Sequence, residues 1–503
     1  MGAAAVSLDR AAVAAAVRAL DLDALADQRW FASKGEAIGS ARLAHAFALT
    51  RSNVLALVDL RVGGGEVDGP REGRVERYAV PFATRRDGTL AAAEDGDGVW
   101  LALAAAMAEG RTIPALGREP GDGPAAKGAG VDAALVCRPS PGFADLWPTG
   151  AASLAVATEV PLGRDQSNSS VVLGGTLLLK AYRRLQPGLN PDLELTAFLS
   201  EEAAFPGVPR LAGWAEAVTK DGGAATVAML QAFVANAEDA YETTAEGLAA
   251  LVAAPGTASI EGATEIAEDL GVLIAGLHAA LARPPHDAAE FTPRAATHDE
   301  LKAWRFEAHR RLNRAIAEVA LVDPDLAAEL RDGGAQIASR ASRFEAVVTA
   351  PVVMRIHADL HLGQILIADD GYRVIDFEGE PLRPIEERRR LDSPLRDVAS
   401  LLRSLDHVAR SAGRRAEQRH GGPIDRPGLD IDAWIERARE RFLAAYAGGL
   451  RREGSQLTLD LDLLDAFEVA KECYEFSYAA AVLPSWLWAP RDGMRWLLAH
   501  GEG

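Results

Sequence analysis

Hydrophobic and polar residues alternate in short runs over the first part of the chain, between Gly and Asp residues that favour turns. The runs at 46–50, 54–62 and 75–82 are the clearest. A period of two places successive side chains on opposite faces of a strand, so these runs predict a small antiparallel sheet. Residues 101–107 have the spacing of a helix. The Gly- and Pro-rich segment 116–130 that follows predicts a loose linker.

A second group of strands is predicted between residues 155 and 233. Residues 155–163 form one apolar run, and two more runs flank Gly174-Gly175, a pair that is typical of a tight hairpin. Pro191 indicates the first turn of an amphipathic helix. The segment 226–241 then passes from a buried strand into a helix, as a hinge between two lobes does.

From residue 242 onward, most apolar positions repeat with the spacing of a helix. The helices that we expect lie at 266–278, 301–322, 326–349, 432–448 and 461–483, with one more beginning near Ser393-Pro394. A polar loop rich in Gly and Pro is expected at 411–430, and a hairpin is expected around the turn 369–371. The chain is therefore predicted to be α+β, with a cap subdomain at 1–135, a nucleotide-binding lobe at 136–235 and a helical lobe at 236–503.

The composition and net charge of the chain indicate which classes of binding partner are disfavoured. The 503 residues are 49% hydrophobic and 25% charged, and the net charge is −19. This acidic excess disfavours binding to nucleic acid or to an anionic membrane, which needs a basic face. The two cysteines, Cys137 and Cys473, are too few for a disulfide framework or a cysteine-based metal site. We therefore expect a cytoplasmic protein with a small-molecule substrate, and the sequence leaves the oligomeric state open.

Candidate chemistry is concentrated between His357 and Pro381. The segment begins His-Ala-Asp-Leu-His-Leu-Gly-Gln and ends Ile-Asp-Phe-Glu-Gly-Glu-Pro. An aspartate after a buried run, followed by an amide and a second carboxylate on a hairpin, is the layout of a phosphoryl-transfer site. Asp359 is the candidate base for a substrate hydroxyl. Gln364 and Asp376 offer the oxygen ligands that Mg²⁺ prefers.

Several neighbouring residues have roles that the sequence leaves between two alternatives. His357 is interpreted as an anchor of the loop rather than an acid or base. Glu378 and Glu380 either tune the metal site or hold the end of the strand. Asp397 lies just inside a predicted helix, where it either accepts backbone N–H groups of the catalytic loop or complements the helix dipole.

The upstream segment supplies the parts that a nucleotide site needs. Lys180 ends a strand, and a lysine in a buried strand requires an anionic partner, for which Glu194 on the next helix is the candidate. A strand lysine paired with a helix glutamate is the arrangement of a kinase N-lobe. The polar turn before the hairpin would then cover the ATP phosphates, and the hinge would face adenine. The residues concerned are Gln166, Ser167, Asn168, Ser169, Ser170, Gln231 and Phe233.

Two alternatives to a working kinase are weaker. A hydrolytic metal site would use His357, Asp359, His361 and Asp376 as ligands. It would leave Lys180 and Glu194 unexplained. A pseudokinase would have lost one of its essential polar residues, whereas Lys180, Asp359 and Asp376 are all present.

The acceptor pocket is predicted from a C-terminal cluster of carboxylates and aromatic rings. Aromatic rings pack against the apolar face of a sugar, and carboxylates bind its hydroxyl or ammonium groups. The alternative is that rings at helical spacing belong to the core. The candidate acceptor contacts are Asp359, His361, Glu378, Glu472, Tyr474, Glu475, Tyr478 and Trp486.

Several of these segments resemble the actinobacterial maltokinase-like proteins. They are residues 166–170, 357–364, 375–381 and 387–399, and residues 29–35 resemble the cap of that family. The resemblance extends over nearly the whole chain. It implies a bilobal protein-kinase-like fold of the aminoglycoside phosphotransferase type, with an N-terminal cap. It also implies ATP and Mg²⁺ as cofactors and a sugar hydroxyl as the acceptor.

The C-terminal segment indicates which sugar is bound. Residues 476–486 depart from the pattern expected of a maltose kinase and look closer to the glucosamine kinases of the same family. An ammonium-bearing substrate also suits the acidic residues nearby. The expected reaction is phosphorylation of glucosamine at its 6-hydroxyl, and the alternatives are maltose, which would give maltose 1-phosphate, and an aminoglycoside.

Overall fold

The computed structural model describes residues 8–28, 30–31, 33, 35–63, 73–117, 133–163, 168–254, 256, 259–283, 291–380 and 383–500. They form two compact units. The first unit comprises the described residues of 1–201, 209–235 and 381–388, and the second comprises those of 202–208, 236–380 and 389–503. Gln166, Ser167 and Pro381 of the predicted motifs lie outside the described residues. Among the described helices, none is long and apolar enough to cross a membrane.

The first unit is built on antiparallel strands with short helices between them. Its strands are β1 (Ile38–Ala48), β2 (Asn53–Val62), β3 (Arg74–Thr84), β4 (Leu90–Ala92), β5 (Thr112–Pro114), β6 (Ala133–Pro139), β7 (Glu159–Pro161), β8 (Ser169–Leu173), β9 (Leu177–Ala181), β10 (Arg184–Leu185), β11 (Leu211–Thr219) and β12 (Ala224–Ala232). Its helices in this part of the chain are α1 (Arg10–Arg18), α2 (Leu22–Ala26), α3 (Val99–Ala108), α4 (Phe143–Leu146), α5 (Ala151–Leu154) and α6 (Pro191–Ala197). A π-helical turn, Phe198–Glu202, follows α6.

These strands form two sheets. One has the order β1-β2-β3-β10 with β4 beside β3, and the other has the order β5-β6-β11-β12-β9-β8-β7. Helix α3 is apolar on all sides, and its buried residues share one core with residues of both sheets. A helix that is hydrophobic all round is expected in such an interior position. Strand β6 crosses residue 135, so the predicted boundary between cap and N-lobe falls within a strand; the domain division stays a prediction.

The hairpin around Gly174-Gly175 is confirmed. Strands β8 and β9 pair from Ser169 opposite Ala181 to Leu173 opposite Leu177. Both glycines have positive φ, 58° and 68°, which a two-residue turn of this hand requires. The strand predicted at 155–163 is wrong in its first half, because helix α5 and a turn precede the three residues of β7.

The second unit is mainly helical. Its strands are β13 (Glu238–Asp239), β14 (Arg294–Ala295), β15 (Val352–Val353), β16 (Ile365–Ala368) and β17 (Gly371–Val374). The remaining helices are α7 (Ala240–Ala253), α8 (Ile260–Ala263), α9 (Glu265–Leu281), α10 (His298–Val319), α11 (Pro324–Asp332), α12 (Gly334–Ala341), α13 (Ile385–Arg388), α14 (Pro394–His420), α15 (Ile431–Arg452), α16 (Leu461–Val482) and α17 (Trp488–His500). Of these, α13 belongs to the first unit. Short 3₁₀ turns lie at Ser342–Glu345, Leu362–Gln364 and Pro484–Trp486.

Two predicted elements of this unit are wrong. The loop expected at 411–430 begins only at Gly421, because Ala412 and Ala416 continue the buried stripe of α14. Gly421, at φ 84°, then ends the helix in the left-handed conformation that favours glycine. The single helix expected at 326–349 is divided into α11 and α12 at Gly333, and a 3₁₀ turn follows α12.

Candidate active site

The catalytic loop is held by Asp397, in the first turn of α14. Its two carboxylate oxygens accept hydrogen bonds from the backbone N–H groups of His357 (2.8 Å) and Ala358 (2.9 Å). Ala358 has a φ of 69°, which is unusual for a residue with a side chain, so the loop needs such external support. His278 lies behind the carboxylate, with its Nε2 atom 3.4 Å from Asp397 Oδ2. The predicted contact between Asp397 and the loop is confirmed.

His357 anchors the same loop from its other side. Its side chain is fully buried, and Nε2 lies 3.0 Å from the carbonyl oxygen of Ile375. Nδ1 accepts a bond of 3.4 Å from the backbone N–H of Asp359. This pair of contacts matches the neutral tautomer with its proton on Nε2. His357 therefore fixes Asp359 relative to β17, as the sequence predicted.

Asp359 is tuned for proton transfer by its surroundings. Burial raises the pKa of its carboxyl group to about 6, and the charges of Asp376 and Glu380 add to the rise. The nearby Lys471 ammonium opposes them. A carboxyl group whose pKa lies just below neutral pH is mostly ionised, yet it is a better base than an ordinary aspartate. The environment thus supports the role predicted for Asp359.

Lys471 on α16 is a site residue that the sequence analysis did not identify. Its Nζ atom lies 2.8 Å from Glu475 Oε1 and 4.8 Å from the centre of the Tyr474 ring. Burial alone would lower the pKa of Lys471, but the carboxylates of Glu475 and Asp359 raise it overall. A Lys-to-Glu spacing of four residues is ordinary on a helix surface. The signal that could have found it is a lysine on a helix whose neighbours are mostly apolar.

A small cavity in the second unit opens beside this cluster. Its lining includes Asp359, Glu380, Lys471, Tyr474 and Arg311. Arg311 lies with its guanidinium carbon 5.4 Å from the Tyr474 ring centre and 3.6 Å, Nη2 to Oε1, from Glu380. Asp359 therefore faces a polar space that contains charges of both signs. Such a space suits a polar, hydroxyl-rich acceptor.

The predicted metal ligands lie close together on the hairpin. The side-chain amide of Gln364 lies 3.4 Å from Asp376 Oδ2, and oxygens of Asp376 and Glu378 approach within 4.8 Å. Neighbouring ligands of an octahedral Mg²⁺ lie about 3 Å apart. Asp376 has a φ of 66°, a strained conformation of the kind that is found at functional sites. These side chains fit Mg²⁺, provided that the Gln364 amide presents its oxygen to the ion.

The predicted acceptor contacts fall into different environments. Tyr474 lines the cavity, Glu475 pairs with Lys471, and Tyr478 is 45% exposed. Trp486 packs edge-on against His407, with their ring centres 5.1 Å apart. Burial lowers the pKa of His361 to about 4, so this ring is neutral at physiological pH. His361 Nδ1 also accepts the backbone N–H of Gly363, which makes it part of the loop structure.

Glu472 does not line the cavity beside Asp359, and its predicted contact with the acceptor stays a prediction. The side chain has no exposed surface, and Oε1 lies 3.0 Å from His407 Nε2. It is directed towards α14 and α17, where Gly493 makes room for it. A Cβ atom on Gly493 would lie 2.0 Å from that oxygen. Glu472 therefore belongs to a buried charge cluster beneath the site.

In the first unit, Lys180 has an acidic partner that the sequence analysis missed. Its Nζ atom lies 2.7 Å from Asp192 Oδ2, and the Tyr182 hydroxyl donates to the same oxygen at 3.0 Å. Asp192 is held at the start of α6 by the N-cap residue Asn190. The expected helix start is thus confirmed, and Asp192 supplies the ion pair that was sought. Glu194 is also buried, and its role stays a prediction.

The hinge strand leaves fewer free backbone groups than expected. The N–H group of Ala232 donates to Arg210 O and that of Phe233 donates to Thr176 O, each at 2.8 Å. Neither donor is therefore available to adenine while these bonds persist. The predicted contacts of Gln231 and Phe233 with adenine stay predictions. Asn168 precedes β8, and Ser169 and Ser170 begin that strand, opposite Ala181 and Lys180.

Comparisons with known proteins agree with this chemistry. Residues 158–453 match the phosphotransferase enzyme family, APH. A glucosamine kinase of Streptacidiphilus jiangxiensis is 30% identical over 441 residues, which cover 86% of this chain and 89% of the relative. A glucosamine kinase of Mycolicibacterium smegmatis (strain ATCC 700084 / mc(2)155) is 30% identical over 360 residues, 70% of this chain and 82% of the relative.

Solved structures extend the likeness to nearly the whole fold. A glucosamine kinase in complex with glucosamine, ADP and inorganic phosphate aligns with a TM-score of 0.68 and 25% identity, over 96% of this chain and 98% of the other. A second glucosamine kinase structure, crystal form B, gives a TM-score of 0.72 at 24% identity, over 97% and 99% of the two chains. The protein is an enzyme that transfers a phosphoryl group from ATP to a hydroxyl group. It belongs to the phosphotransferase enzyme family.

Proposed function

We propose that the protein phosphorylates glucosamine at its 6-hydroxyl, using ATP and Mg²⁺. The observation that carries the choice of acceptor is the 30% identity to a glucosamine kinase over 86% of the chain. The solved relative with glucosamine and ADP supports the same pair of substrates. The position of Asp359 in a polar cavity supports a polar hydroxyl acceptor. Maltose and aminoglycosides are not favoured by these relatives.

In the proposed reaction, Asp359 accepts the hydrogen bond and then the proton of the attacking hydroxyl. The loop that carries Asp359 is fixed by Asp397 and His357, so the carboxylate needs little rearrangement. Gln364 and Asp376 would hold Mg²⁺, which supplies positive charge to the transferring phosphoryl group. Lys471 contributes a fixed cation beside the same carboxylate.

The Lys471–Glu475 pair changes the expected mode of aminosugar recognition. Glu475 is only 14% exposed and is already paired with a lysine. A substrate ammonium close to Lys471 would be repelled by it. We propose that the substrate amino group points towards the carboxylate of Glu380, on the wall of the same cavity, where it would share that carboxylate with Arg311. Glu475 then acts by placing Lys471.

The proposed function is tested with a panel of acceptors. The protein is incubated with ATP, Mg²⁺ and, separately, glucosamine, glucose, maltose and an aminoglycoside, and phosphorylated products are identified by mass spectrometry. We expect glucosamine to have the highest kcat/KM and its product to be the 6-phosphate. Activity on maltose alone would overturn the glucosamine assignment.

The pH dependence of turnover is a further prediction. The ionised form of Asp359 is the active base, and its pKa is raised to about 6. We therefore expect kcat/KM to fall about tenfold for each pH unit below 6 and to become constant above it. His361 adds no step near neutrality, because its pKa is lowered to about 4. A profile that stayed flat down to pH 5 would contradict the raised pKa.

Lys471→Met should move this acid limb. Loss of the ammonium removes the main charge that lowers the pKa of Asp359. The fall of kcat/KM at acid pH should therefore begin at a pH that is higher by about one unit or more. The measurement is the pH profile of kcat/KM for glucosamine. Lys302→Met on α10, where the lysine is exposed, is the matched control and should leave the profile in place. A lower rate with an unmoved limb would show that Lys471 acts only through the fold.

A further inference from the structure

The first unit contains a second, larger cavity, whose walls include Asn168, Ser169 and Ser170 at the end of the turn that is predicted to cover the ATP phosphates. Its volume is about 610 Å³, within the range of small-molecule sites. Residues of α2, β3 and β8 contribute to its walls, together with Trp30, Trp100 and Arg183. The lining does not include Lys180 or Asp192, the ion pair of the predicted nucleotide site.

Arg183 is the chemical centre of this cavity. Arg183 is only 6% exposed. Its guanidinium carbon lies 4.3 Å from the centre of the Trp30 ring and 5.9 Å from the centre of the Trp100 ring. Within the described parts of the chain, no carboxylate forms an ion pair with Arg183, and its Nε atom has no hydrogen-bond partner. Arg183 is one of the residues that line the cavity. Burial lowers the pKa of Arg183 to about 9.

An arginine in this setting favours an anionic ligand. Burying a cation without a counter-ion is costly, and stacking on tryptophan offsets only about 0.5–2 kcal/mol of that cost. A phosphate group can accept two parallel hydrogen bonds from one guanidinium. A phosphate bound to Nε and one terminal nitrogen would therefore satisfy the buried Nε atom, which the described protein groups leave unbonded.

The remaining walls restrict what else the ligand carries. Ser169 and Ser170 offer hydroxyl groups, and the Trp30 ring offers a flat face of the kind that packs on a sugar. The exposed rim is acidic, with Asp21, Asp27, Glu94 and Asp95 among the lining residues. This rim disfavours a nucleotide with several negative charges. It favours a molecule with one anionic group and an ammonium or several hydroxyl groups.

We propose that this cavity is a binding site for an aminosugar phosphate, with the phosphate on Arg183 and the amino group towards the acidic rim. The product of the proposed reaction belongs to this class, and that identification rests on the proposed function. The site adjoins the nucleotide-binding strand, because Ser170 of the cavity wall pairs with Lys180 across β8 and β9. A ligand in the cavity therefore contacts the strand next to the one that carries Lys180.

The proposal is tested by isothermal titration of the full-length protein with glucosamine 6-phosphate, glucose 6-phosphate, inorganic phosphate and glucosamine. We expect the wild type to bind glucosamine 6-phosphate most tightly among the four. Arg183→Met keeps an apolar stem between the tryptophans and should weaken this site at least tenfold. Lys471→Met is the control, because Lys471 lies beside Asp359 in the second unit. This variant should weaken binding of the product near Asp359 and leave binding at the Arg183 site unchanged.

Each outcome decides the proposal. Equal affinity for glucosamine 6-phosphate in wild type and Arg183→Met would overturn it, as would loss of binding in Lys471→Met alone. Weakened binding of glucosamine, which carries no phosphate group, in Arg183→Met would also count against a phosphate site. If Arg183→Met does not fold, Arg183→Lys replaces it: charge is kept but the paired donors are lost, and affinity should still fall several-fold. Arg183-dependent binding without glucosamine phosphorylation would sustain the site and reject the proposed function.

Discussion

Replacement of Asp359 by asparagine is expected to lower kcat by about 10²–10⁴-fold, the contribution typical of a positioned general base. Asparagine keeps the size and polarity of the side chain but cannot accept the hydroxyl proton. The affinity for ATP should change little, because Lys180 and Asp376 are unaltered. Steady-state kcat with glucosamine and the Kd of ATP from titration are the two measurements.

Asp370→Asn is the matched control for this variant. Asp370 lies in the β16–β17 turn, is 73% exposed and pairs with Arg373. Its loss removes the same charge from the same segment, and an exposed ion pair contributes little, so kcat should stay within about twofold of wild type. Normal turnover by Asp359→Asn would show that another group is the base.

Asp397→Asn is expected to impair both the fold and the rate. The carboxylate accepts the backbone N–H groups of His357 and Ala358 through different oxygens, and asparagine can replace only one of these acceptors. The other N–H would face an amide N–H₂ group inside the protein. We expect the free energy of unfolding to fall by about 3 kcal/mol and kcat to fall about 100-fold, because the loop loses its support.

Denaturant titration and steady-state kinetics at a temperature where both proteins are folded separate the two effects. The control is Asp430→Asn, at the N-cap of α15, where asparagine also caps well and stability should change by only a few tenths of a kcal/mol. If Asp397→Asn lost stability but kept its kcat, the carboxylate would be structural only. A pH limb that remained near 6 in this variant would show that Asp359 itself is intact.

The chemistry of the catalytic segment was predictable because its parts are close together in sequence. Asp359 and Gln364 lie on one loop, and a two-stranded hairpin brings Asp376 back beside them, with Ile365 opposite Val374. A hairpin of this length has one favoured register, so the spacing of the residues nearly determines their proximity. The sequence left the role of Asp397 open, because an acidic residue in a first helical turn can also act by complementing the helix dipole.

The residues of the acceptor pocket were harder to predict from the sequence. They lie on one helix, and only tertiary packing decides which face of that helix lines the pocket. Glu472 and Glu475 lie about 60° apart around α16, close enough to appear as a pair in the sequence. Helices α14 and α17 cover one of them, and Gly493 allows that carboxylate to fit. The same packing turns Lys471 towards Asp359. Helix α16 is buried on nearly all sides, so no local sequence pattern shows which of its polar side chains face the cavity and which face α14 and α17.

The sequence by itself determined the α+β class, the Gly174-Gly175 hairpin, the start of α6 at Pro191 and the phosphoryl-transfer motif, because each depends on short-range backbone preferences. Tertiary structure decided the partners of the charged groups. In the folded protein Lys180 pairs with Asp192, Glu475 with Lys471 and Glu472 with His407. Arg183 packs against two tryptophan rings. A buried charged group is stabilised by the groups that the fold brings close to it, and these are often distant in sequence. Packing between helices and strands therefore decides the partner.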